Sequence, residues 1–357
     1  MNTLDDINKI EQLDPQGMLE VEENFYNQLL EGQKIAEAAD LSQIAGKKYS
    51  GLVFVGMGGS GISGDIIASL GASSAGVNLV AVKGYDLPAY VTKDWLVVAS
   101  SYSGNTEETI SCVKQAAGIG AAMLFITSGG KLKQLAADYD DVSLISLPSG
   151  YQPRGALGYL FMPAYMALGK LGLIDGDAGD IQEGLDLVKR LGREFNRNNP
   201  YEKNYAKQLA VMIGDRLPVV YGQEGYLGPI AYRWKCEINE NAKTPCFWAQ
   251  FPELNHNETV GWDRLAPVTK NFVLIILTQQ QGNKRIEARI EATRKLIEDN
   301  LGKVIEVPVK GKSRFARALS TLYTGDMASI YLALYHGVDP TPVEKIEKLK
   351  AELSKLD

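Results

Sequence analysis

The 357-residue sequence predicts an α/β protein built from two doubly wound parallel sheets and one additional C-terminal helix. Three observations favour this class. Apolar runs of strand length alternate with segments of helical period in the first half of the chain, the same alternation begins again in the second half, and a break rich in Gly and Asp at 175–180 lies between them. Such an alternation builds parallel sheets because each helix returns the chain across one face of the sheet.

The first predicted domain covers residues 20–175 and starts with an amphipathic helix. Its short apolar runs suit strands that are buried on both faces. Turns rich in glycine or hydroxyl groups follow the first and third runs and lead directly into helices. The predicted strands are 52–55, 77–82, 95–99, 121–126 and 142–145, and the predicted helices are 20–39, 62–70, 106–117, 131–137 and 155–171.

The second predicted domain covers residues 181–338 and resumes the same rhythm without a strong sequence repeat. The predicted helices are 181–213 (one helix or two), 227–240, 283–298 and 315–335, and the predicted strands are 217–221, 245–251, 272–277 and 304–307. The run Asp339-Pro340-Thr341-Pro342 then breaks the chain. We expect Thr341 to cap a last helix, within residues 339–357, that begins at Pro342.

Composition narrows the class of protein. The net charge is -6, 45% of residues are hydrophobic and 22% are charged, which is ordinary for a globular enzyme. No basic tract favours nucleic acid, and no apolar run is long enough to cross a membrane. Three cysteines, two histidines and no Cys-x-x-Cys argue against disulfides and structural zinc. The N-terminus does not resemble a signal peptide, so we expect a cytoplasmic protein without nucleic-acid or membrane partners.

The turn after the third predicted strand is the strongest candidate for a binding site. Ser101, Ser103 and Thr106 crowd this strand-to-helix turn, with Thr106 near the N-cap of the next helix. Free backbone N–H groups and the positive end of the helix dipole lie at the same place, so the turn suits a phosphate group. The loop has no lysine and is therefore not a nucleotide-type P-loop. A phosphate carried by a sugar suits it better.

A glycine turn follows the first predicted strand, with the sequence GMGGSG at 56–61. It fits the dinucleotide pattern G-x-G-x-x-G literally, but the strand that should end in a ribose-binding acid ends in Val82-Lys83-Gly84. Two other interpretations stay open. The turn is only a tight connection, or its amides line a small-ligand pocket opposite Ser101 and Ser103.

Four segments in this order resemble a known family. GGSG at 58–61 with SYSGNTEET at 101–109 looks like a sugar isomerase (SIS) domain, and GYQPRGALGY at 150–159, NENAK at 239–243 and ELNHNE at 253–258 narrow the resemblance to the bifunctional phosphoglucose/phosphomannose isomerases. The resemblance covers essentially the whole chain. It implies two flavodoxin-like SIS domains, an aldose–ketose isomerase without cofactor or metal, a hexose 6-phosphate substrate, and a homodimer whose partner contributes the histidine loop to each site.

The resemblance also implies site residues. Arg154 would stabilise an enediolate oxygen, Glu240 would move the proton between C1 and C2, and His256 and Lys350 would assist ring opening. The implied substrate-binding residues are Gly59, Ser60, Ser101, Ser103, Thr106, Arg154, His256 and Lys350. For the residues taken singly, ordinary alternatives remain: a solvated loop arginine, a surface glutamate, a loop histidine bonded to the backbone, and a lysine at the edge of a buried face.

The last helix supplies a separate argument for Lys350. Val343, Ile346, Lys350 and Leu353 recur at three- and four-residue spacing and share one face, which we expect to be buried as the helix packs back on the site. Lys348 lies off that face, so Lys350 is favoured over it.

Other functions remain as alternatives. These are a sugar-phosphate-binding regulator without catalysis, an isomerase restricted to glucose 6-phosphate, an aminotransferase of the glucosamine 6-phosphate synthase type, and a nicotinamide-dependent dehydrogenase. The regulator would keep the hydroxyl loop without needing Glu240. The aminotransferase needs a glutaminase domain with an N-terminal cysteine, whereas this sequence begins Met1-Asn2-Thr3.

Overall fold

A computed structural model describes residues 3–279 and 282–355. It has two all-parallel sheets with helices packed around them, which confirms the predicted fold class. No helix in the described part of the chain combines the length and the apolar character that a membrane span requires.

The first sheet has five strands in the order β2-β1-β3-β4-β5. The chain therefore starts in the middle of the sheet, moves to one edge, and crosses back over β1 before filling the other side. The carboxyl ends of β1 and β3 lie side by side where the direction reverses, and ligands of open α/β sheets bind in the crevice at such a point. The strands are β1 (Gly51–Val55), β2 (Asn78–Val82), β3 (Trp95–Ser100), β4 (Ala122–Thr127) and β5 (Val142–Ser146).

The second sheet repeats this arrangement with four strands in the order β7-β6-β8-β9. Its point of reversal lies between β6 and β8, and β7 is an edge strand. The strands are β6 (Leu217–Gln223), β7 (Phe247–Phe251), β8 (Phe272–Thr278) and β9 (Lys303–Pro308). The apolar runs had predicted all nine described strands to within one or two residues at either end, because each run is short and bounded by turn residues.

The helices cover both sheets and also join them. They are α1 (Ile7–Leu13), α2 (Met18–Glu23), α3 (Phe25–Ala38), α4 (Gly58–Gly71), α5 (Glu107–Gly118), α6 (Gly130–Leu135), α7 (Leu157–Lys170), α8 (Ala178–Phe195), α9 (Tyr205–Ile213), α10 (Leu227–Asn241), α11 (Ala266–Thr269), α12 (Lys284–Ile297), α13 (Arg314–Tyr335) and α14 (Glu344–Leu353). Short 3-10 turns include Pro153–Ala156 before α7 and Glu253–His256 after β7.

Helix α10 is one of the elements that join the two halves. It packs on α13 at Gly325, where a Cβ atom would lie 2.1 Å from Nε1 of Trp234, so only glycine permits this approach. The same Nε1 donates a hydrogen bond of 3.0 Å to the carbonyl of Thr321. Helix α10 also contacts α4 of the first half. Its last residue, Asn241, accepts a hydrogen bond from Arg154, whose turn rests on the start of α4, so the C-terminal end of α10 lies close to the crevice of the first sheet.

Three helix predictions were wrong in their bounds. Helix α4 begins at Gly58, inside the glycine turn, rather than at the predicted residue 62. The leading helix over 20–39 is divided at Asn24 into α2 and α3. Helix α8 begins at Ala178, inside the predicted break, because the side chain of Asp177 accepts a hydrogen bond from the backbone N–H of Asp180 and caps it. Helix α8 then packs on both α3 and α13, so it contacts elements from both halves.

The predicted start of the last helix was also wrong. Helix α14 begins at Glu344, with Val343 at its N-cap and no side-chain cap. Thr341 does not cap the helix. Its hydroxyl is buried without a partner, and its carbonyl is used by Arg154 instead.

The predicted buried face on this helix is wrong for a single chain. No residue of α14 is buried, and its apolar side chains Ile346, Leu349 and Leu353 are 40%, 59% and 38% exposed. The helix therefore does not pack back onto the rest of its own chain, and Lys350 lies on an exposed helix. The three- and four-residue spacing grouped apolar residues on one face of the helix, but spacing alone does not show whether that face packs against the same chain.

Candidate functional site

The hydroxyl-rich turn between β3 and α5 is tightly ordered. Ser101 is fully buried, and its Oγ lies 2.8 Å from the Oγ1 of Thr106 and accepts a hydrogen bond of 3.1 Å from the backbone N–H of Gly104. Gly104 has φ of 71°, and a Cβ there would lie 1.8 Å from the carbonyl of Gly129. Thr106 stands at the N-cap of α5 without capping it, while Ser103 is exposed. The turn thus keeps an open helix N-terminus beside three hydroxyl groups, which suits an anion.

Ser60 joins this turn to the glycine turn of β1. Its buried Oγ accepts a hydrogen bond of 3.1 Å from the backbone N–H of Tyr102. The lysine at the tip of β2, Lys83, pairs with Asp65 and lies 4.5 Å from the ring centre of Tyr232. A cation bound in this way stands where dinucleotide-binding proteins carry a ribose-binding acid, so the glycine turn lacks that part of the dinucleotide site.

Gly59, in the glycine turn after β1, allows the segment that carries Arg154 to approach closely. A Cβ atom at Gly59 would lie 2.6 Å from the carbonyl oxygen of Pro153 and 3.3 Å from the Cα of Arg154. Only glycine therefore allows the 3-10 turn Pro153–Ala156 to rest on the first residues of α4. This contact sets the position of the Arg154 backbone relative to the hydroxyl-rich turn.

The Arg154 side chain is buried and donates three hydrogen bonds to the surrounding protein. Its Nε donates a hydrogen bond of 2.7 Å to Oδ1 of Asn241, and its Nη2 donates bonds of 2.8 and 2.7 Å to the carbonyls of Pro340 and Thr341. Its Nη1 lies 3.6 Å from Oε2 of Glu240. The guanidinium is therefore fixed by Nε and Nη2, and Nη1 is the corner that faces the carboxylate.

Glu240 is the penultimate residue of α10, and its side chain is 29% exposed. The carboxylate thus lies between the buried Arg154 and the solvent, where a bound substrate could reach it. Its sequence neighbour Lys243, at φ of 55°, donates hydrogen bonds of 2.5 Å to the carbonyl of Glu240 and 2.9 Å to that of Pro340. Partial burial, together with the nearby Arg154 guanidinium, lowers the pKa of Lys243 to about 8.

A cluster of buried charges lies behind these residues. Arg233 of α10 donates hydrogen bonds of 2.9, 3.1 and 2.8 Å to the carboxylate of Asp326 on α13, pairs with Glu237 at 2.9 Å, and donates one of 3.0 Å to the carbonyl of Arg154. Burial, followed by the charge of Asp326, raises the pKa of Glu22 well above its ordinary value. Sequence reasoning missed this cluster because its members are far apart along the chain.

His256 is the last residue of the 3-10 turn after β7, and hydrogen bonds anchor the chain just before and just after it. Asn255 donates a hydrogen bond of 2.7 Å to the hydroxyl of Thr293, and Glu258 accepts one of 2.5 Å from the hydroxyl of Tyr221. The side chain of His256 itself is exposed. Among the described residues, no hydrogen bond or ion pair joins the side chain of His256 or Lys350 to Arg154 or Glu240.

The predicted site residues therefore fall into two groups. The contacts described above link Gly59, Ser60, Ser101, Thr106, Arg154 and Glu240 into one region, with Ser103 on the rim of the same turn. His256 and Lys350 lie on exposed surfaces of the chain. Residues 3–279 and 282–355 contain no group of three or more His, Cys, Asp or Glu side chains arranged to hold a metal ion.

Comparison with known proteins finds relatives along nearly the whole chain. The bifunctional phosphoglucose/phosphomannose isomerase of Caldicellulosiruptor bescii is 41% identical over 305 residues, which are 85% of this chain and 90% of the relative. The enzyme of the same name from Aquifex aeolicus is 37% identical over 94% of this chain and 98% of its own length. The family model of the bacterial phospho-glucose isomerase C-terminal SIS domain matches residues 202–353.

Solved structures agree on the fold. The crystal structure of a hypothetical protein from Thermus thermophilus superposes with a TM-score of 0.72 over 95% of this chain and 90% of that chain. The two sequences are 15% identical, so this similarity concerns the fold alone.

Proposed function

The chain belongs to the bifunctional phosphoglucose/phosphomannose isomerase family, and we propose that it interconverts glucose 6-phosphate and mannose 6-phosphate with fructose 6-phosphate. The observation that carries the proposal is the pairing of Glu240 with the buried Arg154 at 3.6 Å, beside a hydroxyl-rich helix N-terminus. A base, a fixed positive charge and an anion site are the three parts that an aldose–ketose isomerisation of a sugar phosphate needs.

Glu240 is the proposed base. Isomerisation moves a proton between C1 and C2 on one face of a cis-enediol intermediate, and one carboxylate can remove the proton and return it because both carbons lie within its reach. The enediolate carries negative charge on oxygen, which the Nη1 corner of Arg154 stabilises from a fixed position. The carboxylate needs no metal for this transfer.

The hydroxyl-rich turn is the proposed phosphate site. Ser101, Ser103 and Thr106 supply hydroxyl and backbone N–H donors at the open N-terminus of α5, and Gly59 and Ser60 supply them from the neighbouring N-terminus of α4. Dianionic phosphate gains most at a helix N-terminus, where the unpaired N–H groups and the dipole act together. Binding at the phosphate end would place the sugar carbons toward Arg154 and Glu240.

His256 and Lys350 are the proposed ring-opening residues, and we propose that a second copy of the chain completes each site. Exposed apolar side chains support a homodimer. They occur on the edge strand β7, on the segment after His256, and on α14: Phe247, Trp248, Val260, Leu265, Val268, Ile346, Leu349 and Leu353. A dimer that covers these faces would bring the anchored histidine loop of one copy to the Glu240 region of the other. The proposed setting is the cytoplasm, with the reaction serving glycolysis and gluconeogenesis.

The test is isomerase activity with each sugar phosphate separately. Purified protein should convert both glucose 6-phosphate and mannose 6-phosphate into fructose 6-phosphate. Glu240→Gln should lower kcat about 100- to 10,000-fold, the range for loss of a general base, whereas Glu224→Gln, at an exposed site, should keep full activity. Binding without turnover would replace the proposal with a sugar-phosphate-binding regulator. Turnover of glucose 6-phosphate alone would restrict it to one epimer.

A further inference from the structure

Asn241 lies next to the proposed base, yet its side chain points into the protein rather than toward the site. It is 1% exposed. Its Oδ1 accepts the hydrogen bond of 2.7 Å from Nε of Arg154, and its Nδ2 donates to Oε2 of Glu237 at 3.1 Å and to Oγ of Ser329 at 2.8 Å. We propose that Asn241 is a positioning residue of the proposed isomerase, which orients the Arg154 guanidinium so that Nη1 faces Glu240.

The neighbours of Asn241 determine which way its amide is turned. Arg154 can only donate hydrogen bonds, so it requires the amide oxygen, while the carboxylate of Glu237 accepts them and requires the amide nitrogen. Glu237 is itself fixed by Arg233, whose Nη1 lies 2.9 Å from Oε1. The reversed amide would place its nitrogen against Nε of Arg154 and its oxygen against the carboxylate, with two buried bonds lost.

The bond to Nε sets the plane of the guanidinium. The two carbonyls of Pro340 and Thr341 hold only Nη2, and an arginine held at one nitrogen can still rotate about that contact. A second bond at Nε removes this freedom, because the guanidinium group is planar and rigid. Nη1 is then left at a fixed place 3.6 Å from Glu240. A shift of about 1 Å in a group that stabilises the transition state can lower the rate about a hundredfold.

If Asn241 orients Arg154 in this way, exchanging the amide of Asn241 with the acid of Glu237 should keep that orientation. In Asn241→Asp combined with Glu237→Gln, the acid and the amide trade places. The introduced aspartate still accepts from Nε of Arg154 and now also accepts from the introduced glutamine, whose oxygen remains available to Arg233. Every hydrogen bond between the two positions has a donor and an acceptor again, and the net charge is unchanged.

The experiment compares Asn241→Leu, Glu237→Gln and the exchanged double variant with wild type. We expect Asn241→Leu to lower kcat at least tenfold while KM changes less than threefold, because the phosphate turn is untouched. Glu237→Gln should also lower kcat, because it removes the carboxylate that fixes the amide of Asn241. The double variant should recover kcat to within threefold of wild type. The control is Asn239→Leu, on the same helix as Asn241. It removes a hydrogen bond of 2.9 Å that Asn239 Oδ1 accepts from the backbone N–H of Cys246, and it should keep kcat.

Two results would overturn the inference: Asn241→Leu with the kcat of the control, or a folded double variant no more active than Glu237→Gln alone. If Asn241→Leu does not fold, the comparison of Glu237→Gln with the double variant decides. The inference rests on the proposed function but fails separately from it. An inactive wild type contradicts the function, whereas an active wild type with indifferent variants contradicts only the role of Asn241.

Discussion

The carbonyl of Thr341 accepts a hydrogen bond of 2.7 Å from the Nη2 of Arg154, and this bond joins the start of the C-terminal arm to the guanidinium that faces Glu240. Lys243 reinforces the junction by bonding the carbonyls of Glu240 and Pro340. Glu240, Arg154 and the segment that leads to α14 are therefore joined by direct contacts. A substitution in any one of them should therefore shift the positions of the other two.

Arg154→Lys should lower kcat about 100- to 1,000-fold, the range for loss of a donor that stabilises a developing oxyanion. A lysine keeps the charge but has one nitrogen, so it cannot bond Asn241, the two carbonyls of the arm and the reacting oxygen together. Steady-state kinetics measures the effect, with the exposed Arg193→Lys as the matched control. A variant within threefold of wild-type kcat would contradict the assignment of Arg154.

Gly59→Ala should impair both activity and folding stability. Its Cβ would lie 2.6 Å from the carbonyl of Pro153, so either α4 or the turn that carries Arg154 must move. We expect kcat to fall at least tenfold and the thermal midpoint to drop. Gly118→Ala is the matched control, because nothing lies within 4 Å of its Cβ position. If Gly59→Ala matches this control in both measurements, the close approach does not position the arginine.

How much of this site the sequence could predict differs from residue to residue. Ser101, Ser103 and Thr106 were found because they are neighbours on one strand-to-helix turn, whose chemistry is local. Asn241 was not found, because its partners Arg154, Glu237 and Ser329 converge only in the folded chain. The division of the leading helix at Asn24 was missed since no Pro or Gly marks it. Lys243 was within a quoted motif, but nothing local indicated its bonds to two carbonyls.

Glu22→Gln should make the protein relatively more stable as the pH rises. Burial first, then Asp326 and Glu237, raise the pKa of Glu22, while Arg233 and Arg154 lower it less, so the folded state holds a proton that the unfolded state releases above about pH 4.5. The stabilising contribution of this proton is complete below that pH and is lost as pH rises toward the raised pKa. Glutamine keeps the neutral shape and has no proton to lose.

Urea unfolding at pH 5, 7 and 9 measures this effect. The free energy of unfolding of the variant, relative to wild type, should increase with pH by at most about 1.4 kcal/mol per unit. Glu20→Gln, at an exposed position of the same helix, should track wild type throughout. A difference between Glu22→Gln and wild type that stays constant from pH 5 to 9 would show that Glu22 is ionised in the folded protein.

The last prediction concerns the exposed His256. If a second copy supplies this residue, Glu240→Gln and His256→Asn should each be nearly inactive alone but should restore activity when co-expressed. A mixed dimer then has one site with both wild-type residues and one site with neither. Random pairing makes half of the dimers mixed, so the mixture should recover about a quarter of wild-type activity. Glu240→Gln mixed with Arg154→Lys, two residues linked within one chain, should recover none and is the control. Activity that stays at the level of the separate variants would mean that His256 acts on its own chain or not at all, and size-exclusion chromatography of the same samples would show whether dimers had formed.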